Sequence, residues 1–292
     1  MEIGHQVSQS QRERLAYIDF VLYFLGKFNR SALEERFGIK PAAATRDIAS
    51  YKSYVSHNLI YESGSKHYVI SNTFTPLFSH RPDRVLAQIS KGFGGINSGK
   101  EGEYIPCELP FIMKQPDTAI IAPISRAIFL QKPCLIEYIS TSSGHSLREV
   151  IPFALVNNGL RWHMRAFDRK QSRFADFVLG RILTSKVIDS TPFAEETRSN
   201  DIQWNRIVEL ELVPHPNQKH KISIAHDYEM VNEVLTLRVR AAVVGYLLRR
   251  LNVDCTENHS LVSPSYQLWL RNKATLYGVD NIHLAPGIEE AR

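Results

Sequence analysis

The N-terminal part of the chain carries three short helical patterns followed by a strand pattern, and this order leaves few folds open. Apolar residues recur at three- and four-residue steps over residues 11–28, which predicts an amphipathic helix. Asn29 offers a capping side chain to a second helix over residues 31–37. Gly38 suits the left-handed position that ends this helix. The region therefore begins with two helices joined by a short turn.

A third helix and a hairpin complete the pattern. Pro41 fits the first turn of a helix, where its missing N–H costs little, and we expect this helix to end near Val55. Residues 59–70 then alternate as two short strands around the turn at residues 62–65. Three helices with a tight turn before the third, followed by a hairpin, are typical of a winged helix-turn-helix domain.

The third helix is the candidate DNA-recognition helix. Small residues at its N-terminal end allow close approach to the major groove, where Arg46 could reach a guanine edge and the Thr45 methyl could pack on thymine. The predicted DNA contacts in the helix and the wing are Lys40, Ala43, Thr45, Arg46, Lys52, Lys66 and His67. Because the helix carries only three basic side chains, a protein-interaction module with a solvated face remains an alternative.

A phosphate-loop pattern occurs in the Gly-, Pro- and Ser-rich stretch over residues 71–117. Residues 94–101 match GxxxxGK, but Glu101 stands where a Ser or Thr hydroxyl is needed to hold magnesium. No hydrophobic strand precedes the loop, because residues 86–91 are typical of helix or coil. We therefore interpret this stretch as a linker with a helical connector rather than a nucleotide-hydrolysis site.

The central region has a β-rich pattern. A short helix over residues 124–130 precedes predicted strands at 134–140, 148–156, 160–167 and 177–182. Short strands at this spacing indicate a small β-barrel or a strongly bent sheet. Side chains alternate along a strand, so Arg161, His163 and Arg165 share one face, and Trp162 is expected on the opposite face in the core with Met164 and Ala166.

The arginine-bearing face of that strand has two interpretations. Guanidinium groups donate in a planar fork that suits phosphate or carboxylate recognition. The same row also fits the solvated polar face of an antiparallel sheet, which alternation alone cannot distinguish. The net charge of +5 and the sequence pI of about 9.0 favour a polyanionic partner. Residues 126–186 contribute ten Lys and Arg against four Asp and Glu, so the basic character is concentrated here.

Several segments of the central region resemble the WYL domain, a bacterial sensor domain with an Sm-like β-barrel that commonly follows a winged helix. These segments are residues 135–138, 148–153, 161–167 and 174–182. Trp162 of the namesake triplet is kept, whereas His163 and Met164 replace Tyr and Leu. Trp-His followed by an aliphatic residue resembles the BrxR-like and CapW-like regulators of BREX and CBASS phage-defence operons, and that resemblance extends over nearly the whole chain.

The resemblance implies that a nucleotide or a nucleic-acid-derived ligand docks on the barrel. The residues that would line the pocket by motif, together with two neighbours (Ser140 and Phe177), are Tyr138, Ser140, Arg148, His163, Arg165, Phe177 and Arg181. An imidazole in place of the family's Tyr donates or accepts hydrogen bonds but stacks over a smaller area. The ligand's chemistry therefore stays open.

The C-terminal region alternates strands and helices. Strands are predicted at residues 207–213, 228–231 and 235–239, a helix at 240–251, and a loose tail from Ala285. This unit resembles the family's C-terminal extension, which is associated with dimer contacts. His215, His220 and His226 lack metal-ligand spacing and a nearby Cys, so solvated loop histidines are expected, with no metal site and no cofactor.

Other classes of protein receive little support. No apolar run approaches the roughly 20 residues that span a bilayer. The N-terminal segment lacks the apolar core of a signal peptide. Cys107, Cys134 and Cys255 lie far apart, as expected in a reducing bacterial cytoplasm. No Ser-His-Asp, Cys-His or paired-carboxylate arrangement emerges from spacing, so an enzyme is not predicted.

The sequence thus predicts an α+β multidomain protein. The expected parts are a winged helix-turn-helix at 1–75, a linker with a helical connector at 76–118, a WYL barrel at 119–190 and a small C-terminal α/β domain at 191–292. The expected function is a homodimeric repressor of a phage-defence operon that binds an inverted-repeat DNA operator and responds to a nucleotide or nucleic-acid ligand. Two alternatives stay open, a single-stranded nucleic-acid binder that uses the basic barrel and a protein-interaction adaptor.

Overall fold

The computed structural model describes residues 7–91 and 114–288. The chain divides into two compact units, Met1–Pro110 and Phe111–Arg292. The phosphate-loop pattern at residues 94–101 lies outside the described residues.

The first unit has the predicted order of three helices and a hairpin. Its elements are α1 (Gln9–Leu25), β1 (Lys27–Phe28), α2 (Arg30–Phe37), α3 (Pro41–Tyr54), β2 (Leu59–Glu62), β3 (His67–Ile70) and α4 (Pro82–Lys91). Asn29 caps α2 through a side-chain bond from the Ala32 N–H at 2.9 Å, as expected. Gly38 ends α2 with a left-handed φ of 60°.

The first helix is shorter than predicted. Gly26 ends α1 with a φ of 81°, and Lys27 and Phe28 pair with β3 as a third strand. The apolar spacing that led us to extend the helix reflects Phe28, which is buried in the same core by a strand instead. The three strands lie in the order β1-β3-β2 and form the wing.

A buried carboxylate ties the parts of this unit together. Asp19 of α1 accepts a hydrogen bond from the Tyr51 hydroxyl of α3 at 2.6 Å and one from the Leu77 N–H at 3.0 Å. Asn58 donates to the Tyr51 hydroxyl at 3.0 Å. Burial and the Asp19 bond raise the pKa of Tyr51, so its hydroxyl stays a donor. The network fixes α3 against α1 and so sets the orientation of the candidate recognition helix.

The second unit begins with a helix and a curved sheet. Its first elements are α5 (Thr118–Leu130), β4 (Cys134–Ser140), β5 (Gly144–Asn157), β6 (Trp162–Asp168), β7 (Arg173–Val178) and β8 (Ile182–Val187). The strands pair antiparallel in the order β7-β6-β5-β4-β8. In a flat sheet β4 and β7 would be about 14 Å apart. The Tyr138 hydroxyl of β4 nevertheless accepts from the Val178 N–H of β7 at 3.2 Å, so the sheet curls as the predicted barrel requires.

Two details of this five-stranded sheet, named the sensor sheet below after the sensing role that the sequence predicts, correct the sequence prediction. The single strand expected at residues 177–182 is the end of β7, a turn at Leu179–Arg181 and the start of β8. Trp162, expected in the core, has 40% of its surface exposed, because it begins β6 where the core ends. Met164 and Ala166 are fully buried, as expected.

A small α/β layer completes the second unit. Its elements are α6 (Ile202–Asn205), β9 (Ile207–Pro214), α7 (Lys221–Asp227), β10 (Leu235–Arg240), α8 (Ala241–Arg250), β11 (Val253–Asp254) and β12 (Leu268–Leu270). The sheet order is β10-β9-β12-β11. Val244 and Leu248 of α8 pack with Leu210 and Leu212 of β9 in one hydrophobic cluster.

Three expectations for this region are wrong. Residues 228–231 form no named strand, because α7 ends at Asp227 and a turn follows. His215 is buried rather than solvated: its Nε2 donates to Asp254 at 3.0 Å and its Nδ1 accepts from the Asn217 N–H at 3.2 Å. The stretch from Ala285 is not a loose tail as far as residue 288, since Ala285 is buried in the cluster of α8. Sequence patterns do not reveal these long-range partners.

Two other kinds of feature are absent from residues 7–91 and 114–288. No helix there is both long enough and apolar enough to cross a membrane. No group of three His, Cys, Asp or Glu residues there is arranged to hold a metal ion.

Candidate nucleic-acid interface and ligand site

The exposed face of α3 carries basic side chains and small side chains. Lys40, Thr45 and Arg46 are exposed, and Ala43 is half-buried. Asp47 is the single acidic residue of α3, and it is buried in an ion pair with Arg14 at 2.6 Å. The face that α3 presents to solvent therefore carries positive charge with no carboxylate to repel phosphate.

Thr45 is oriented by the helix itself. Its hydroxyl donates to the Pro41 carbonyl at 3.0 Å. This bond occupies the polar group and leaves the methyl as the part of Thr45 that is free for apolar contact, such as with a thymine methyl.

The remaining predicted DNA contacts lie in the wing or against it. Lys66 is exposed at the hairpin tip with a left-handed φ of 56°. His67 is half-buried, and its Nδ1 lies 2.6 Å from the Ser65 carbonyl. Lys52 is half-buried, with its ammonium group 5.3 Å from the centre of the Tyr68 ring. Lys52 thus connects α3 to the wing, and its role in DNA contact stays a prediction.

Arg148, a predicted ligand contact, is held within the sensor sheet. Its guanidinium donates to Asp168 of β6 at 2.5 Å, and both side chains are buried. Its other nitrogens donate to the hydroxyls of Ser146 at 3.1 Å and Ser143 at 3.2 Å. Each of the three guanidinium nitrogens of Arg148 therefore already donates to a protein oxygen.

Arg165, a second predicted ligand contact, bridges the sensor sheet and the C-terminal layer. It donates twice to Asp201, at 2.8 and 3.1 Å, and once to Asp176 at 3.3 Å. The Tyr246 hydroxyl of α8 also donates to Asp176, at 2.9 Å. Burial raises the pKa of both Asp176 and Tyr246, although Arg165 acts in the opposite direction on each. This network joins three separate elements around one guanidinium.

His163 lies beside this network and is almost entirely buried, with 3% exposure. Its ring stacks on Tyr246 with 4.9 Å between ring centres. Its Nδ1 has no hydrogen-bond partner in the described structure. Burial, together with the nearby charges of Arg161 and Arg181, lowers the pKa of His163 to about 4. The imidazole is therefore neutral at physiological pH.

The other predicted ligand contacts divide between the core and the surface. Tyr138 and Phe177 are buried edge-to-face with 5.2 Å between their ring centres. Ser140 is half-buried at the end of β4, where its hydroxyl lies 3.0 Å from that of Ser142 in the following turn. Arg181 is half-buried and lines a surface cleft. Arg181 therefore lies at a cleft lined by described residues, whereas Tyr138 and Phe177 lie in the core.

Two neighbouring clefts contain cations that the sequence prediction did not single out as site residues. One, of about 140 Å³, is lined by Arg161, Arg181, Trp162 and Lys114 among others. The other, of about 550 Å³, is lined by Arg161, Tyr246, Arg249 and Arg250 among others. Within residues 7–91 and 114–288, none of the four arginines lies in an ion pair. The alternation of side chains along the strand had indicated Arg161 as a member of the arginine-bearing face. Nothing in the sequence, however, links α8 to β6.

Three stretches of the chain match known domain families. Residues 10–91 match the BrxR transcriptional regulator winged helix-turn-helix domain. Residues 119–187 match the WYL domain, and residues 207–276 match the BrxR transcriptional regulator C-terminal dimerization domain. These matches follow the predicted order of DNA-binding, sensor and C-terminal domains.

Similarity to curated proteins extends over most of the chain. The DNA-binding transcriptional repressor CapW of Escherichia coli (strain KTE188) is 30% identical over 280 residues, covering 92% of this chain and 91% of the relative. CapW of Pseudomonas aeruginosa is 30% identical over 275 residues, covering 90% and 89%. Among solved structures, proteasome accessory factor B/C of Arthrobacter aurescens aligns at 17% identity with a TM-score of 0.29, over 94% of this chain and 46% of that protein.

Proposed function

Because this chain belongs to the family of CapW and BrxR DNA-binding transcriptional regulators, we propose that it is a homodimeric repressor that binds an inverted-repeat operator and senses a nucleotide or nucleic-acid ligand through its WYL domain. We further propose the domain limits 1–75, 76–118, 119–190 and 191–292. The phage-defence operon as target follows from the resemblance to BREX and CBASS regulators, and the identity of the neighbouring genes tests it.

The observation that carries the repressor proposal is the exposed face of α3. Arg46 is exposed and has no partner among the described residues, while Asp47 is withdrawn into an ion pair with Arg14. An arginine in the major groove donates two hydrogen bonds to guanine. The arrangement supports base-specific contact by Arg46 and phosphate contact by Lys40.

The dimer proposal rests on the match of residues 207–276 to a dimerization domain. A two-fold dimer presents two recognition helices, which fit half-sites about 34–36 Å apart on one side of the duplex. We propose that a ligand on the sensor changes the spacing or tilt of these helices. Loss of one half-site would cost several kcal/mol, which is a large part of the usual gap between specific and non-specific binding.

The proposal is tested with the duplex DNA upstream of the chain's own gene. Fluorescence anisotropy at near-physiological salt should report a discrete specific complex. Arg46→Ala should weaken it by about 1–3 kcal/mol and relax specificity at one base pair. Arg84→Ala removes an exposed arginine from α4, outside the predicted contacts, and should leave affinity nearly unchanged. Absence of any specific complex, or equal losses in both variants, would overturn the repressor proposal.

The alternative of a single-stranded nucleic-acid binder is distinguished in the same experiment. Arg161→Ala is the appropriate sensor variant, because Arg161 lines both clefts, whereas Arg165 is enclosed by Asp176 and Asp201. A repressor keeps operator affinity in Arg161→Ala and loses its response to the ligand. A single-strand binder instead depends mainly on Arg161 and shows little preference for the duplex.

A further inference from the structure

The carboxylate of Asp19 holds the segment between β3 and α4 (residues 71–81), which has no regular secondary structure. It accepts hydrogen bonds from the backbone N–H groups of Leu77 at 3.0 Å and Phe78 at 3.3 Å. It also accepts one from Nε2 of His80, which lies 2.8 Å from its Oδ2. Asp19 has no exposed surface, so these donors take the place of the water that a carboxylate would otherwise bind.

His80 is held against α1 by aromatic side chains. Its side chain is 13% exposed, and its ring lies edge-on to that of Phe24 with 5.2 Å between the ring centres. The ring centres of Phe20 and Tyr23 lie 6.2 and 6.0 Å from that of His80. The next helix, α4, begins at Pro82, two residues further along the chain. His80 therefore anchors the segment directly before α4 begins.

The same carboxylate holds α3. The Tyr51 hydroxyl donates to Oδ1 of Asp19 at 2.6 Å, and Asn58 donates to that hydroxyl at 3.0 Å. The Asn58 side chain also exchanges two hydrogen bonds with the backbone of Thr75, at 2.8 and 2.9 Å. Tyr51 and Asn58 are both buried. Two side chains, Asp19 and Asn58, therefore connect the segment to the inward face of α3.

The position of Tyr51 affects the DNA-contacting face of α3 as well. Tyr51 is fully buried, whereas Thr45 and Arg46 of the same helix are exposed. The backbone hydrogen bonds of a helix keep its faces in a fixed relation, so a shift of Tyr51 moves the exposed face too. Contacts to base edges need geometry held within roughly 0.5 Å, while contacts to phosphates carry no sequence information. A displaced α3 should therefore lose operator-specific binding before it loses non-specific binding.

We propose that His80 is a positioning residue for operator binding: it holds the segment before α4 on Asp19, and Asp19 holds α3 through Tyr51. This inference rests on the proposed operator-binding function and adds a residue that lies outside the DNA-contacting face. The chain continues from α4 toward the second unit. A change at α4 that draws His80 away from Asp19 would thus alter the operator contacts of α3.

The test uses the full chain and fluorescence anisotropy, with the duplex from upstream of its own gene and an unrelated duplex of equal length. Apparent affinity falls with the fraction of molecules that keep α3 in place. We expect His80→Ala to weaken operator binding about tenfold, as for a fraction of about one tenth, and to change binding to the unrelated duplex less than about twofold. Ser79→Ala changes an exposed neighbour in the same segment and should leave both affinities unchanged.

Two conservative variants distinguish the hydrogen bond from the bulk of the side chain. Gln places an amide nitrogen where His80 carries Nε2 and can donate to Asp19, whereas Asn is one methylene shorter and does not reach it. His80→Gln should recover most of the operator affinity, and His80→Asn should resemble His80→Ala. Equal operator affinity in these two variants overturns the inference, even where His80→Ala does not fold.

A double-mutant cycle tests the connection through Asp19. Tyr51→Phe removes the hydroxyl and keeps the ring in the core. If His80 and Tyr51 act through the same carboxylate, the double variant should bind the operator little more weakly than the weaker single variant, because coupled changes are not additive. Losses that multiply would show that the two residues act separately, and the inference would fail.

The remaining outcomes separate the inference from the proposed function. A lower Tm in His80→Ala with unchanged operator affinity would limit the cluster to stability, and the inference fails. Equal losses of affinity for the two duplexes also overturn it, because a positioning residue acts on specific binding. In both cases the wild-type operator complex and the proposed function stand. Absence of a specific complex in the wild type overturns the proposed function, and the inference with it.

Discussion

Arg165 shows how one side chain of β6 has a structural role. With 7% exposure it is held by Asp176 and Asp201, and Tyr246 completes the set of bonds. Buried ion pairs contribute little net stability, but loss of one partner leaves a charge without compensation. Arg161, in the same strand region, is half-buried and lies in no ion pair with a described residue. The two arginines therefore respond differently to substitution.

We expect Arg165→Met to lower the free energy of unfolding of the second unit by about 3–5 kcal/mol, because two carboxylates then lose their counter-charge. Arg161→Ala should change it by no more than about 0.5 kcal/mol. Urea unfolding followed by tryptophan fluorescence measures this unit specifically, since Trp162, Trp204 and Trp269 all lie in it. Equal stability of the two variants would contradict the structural role of Arg165.

His163 makes stability depend on pH. Its pKa is lowered from 6.5 to about 4 in the folded protein, so the unfolded chain takes up this proton first as pH falls. The folded state therefore loses up to about 3 kcal/mol between pH 6.5 and 4, at about 1.4 kcal/mol per pKa unit. His163→Phe keeps a ring against Tyr246 and should remove this part of the pH dependence.

The control for that measurement is His226→Ala, which removes an exposed histidine of α7. Urea midpoints across the same pH range should follow the wild type in this variant. A wild-type pH dependence retained in His163→Phe would show that other groups cause the acid sensitivity.

At the scale of elements, α8 is the helix on which the second unit is assembled. Tyr246 stacks on His163 of β6, and Gly245 lies against Asn281. Val244 and Leu248 pack in the C-terminal hydrophobic cluster. An added Cβ at Gly245 would be 2.0 Å from the Asn281 carbonyl oxygen. The Asn281 side chain also bonds the backbone of α8, donating to the Ala242 carbonyl at 2.7 Å.

Gly245→Ala should consequently destabilise the second unit. Gly to Ala within a helix normally gains about 1 kcal/mol. Overpacking against Asn281 should exceed that gain and cost about 1–3 kcal/mol net. Calorimetry checks the sign. Gly64→Ala in the wing tip, where no described atom lies within 4 Å of the added Cβ, serves as the control and should be nearly neutral.

Local signals decided which elements the sequence could predict. The Asn29 cap, the left-handed Gly38 and the hairpin turn act within a few residues, so the winged helix was predicted closely. The strand at residues 134–140 was also predicted with its observed limits. The prediction of a single strand over residues 177–182 was wrong because Gly180 lies in a turn. The residues on either side of that turn have the apolar pattern of a strand.

The candidate ligand site was harder to predict, for a reason of the same kind. Alternation places His163 and Arg165 on one face of β6 but cannot say what covers that face. Asp201 and Tyr246, distant in sequence, bury both side chains. Arg249 and Arg250 line the same cleft as Arg161 only because α8 packs beside the β5–β6 turn.

At the scale of the whole molecule, no hydrophobic cluster of the described residues is shared between the two units: the first unit contains one cluster and the second contains two. We expect Phe111–Arg292, produced alone, to fold and to dimerise without binding the operator. The first unit alone should bind operator DNA about 10²–10⁴-fold more weakly than the full chain, because it loses bivalent attachment. Analytical ultracentrifugation measures the dimerisation of the second unit, and fluorescence anisotropy measures the operator affinity of the first. A monomeric second unit at micromolar concentration would contradict the assignment of dimer contacts to it.

The burial of β6 on both faces has a consequence for genetics. Met164 and Ala166 fill one side, and His163 and Arg165 are enclosed on the other, so most substitutions in this strand should lower the amount of folded protein in the cell. Such alleles would score as constitutive expression of the target operon, whatever their effect on the ligand. Non-inducible alleles, which still repress but ignore the signal, should instead map to Arg161, Arg181, Arg249 and Arg250.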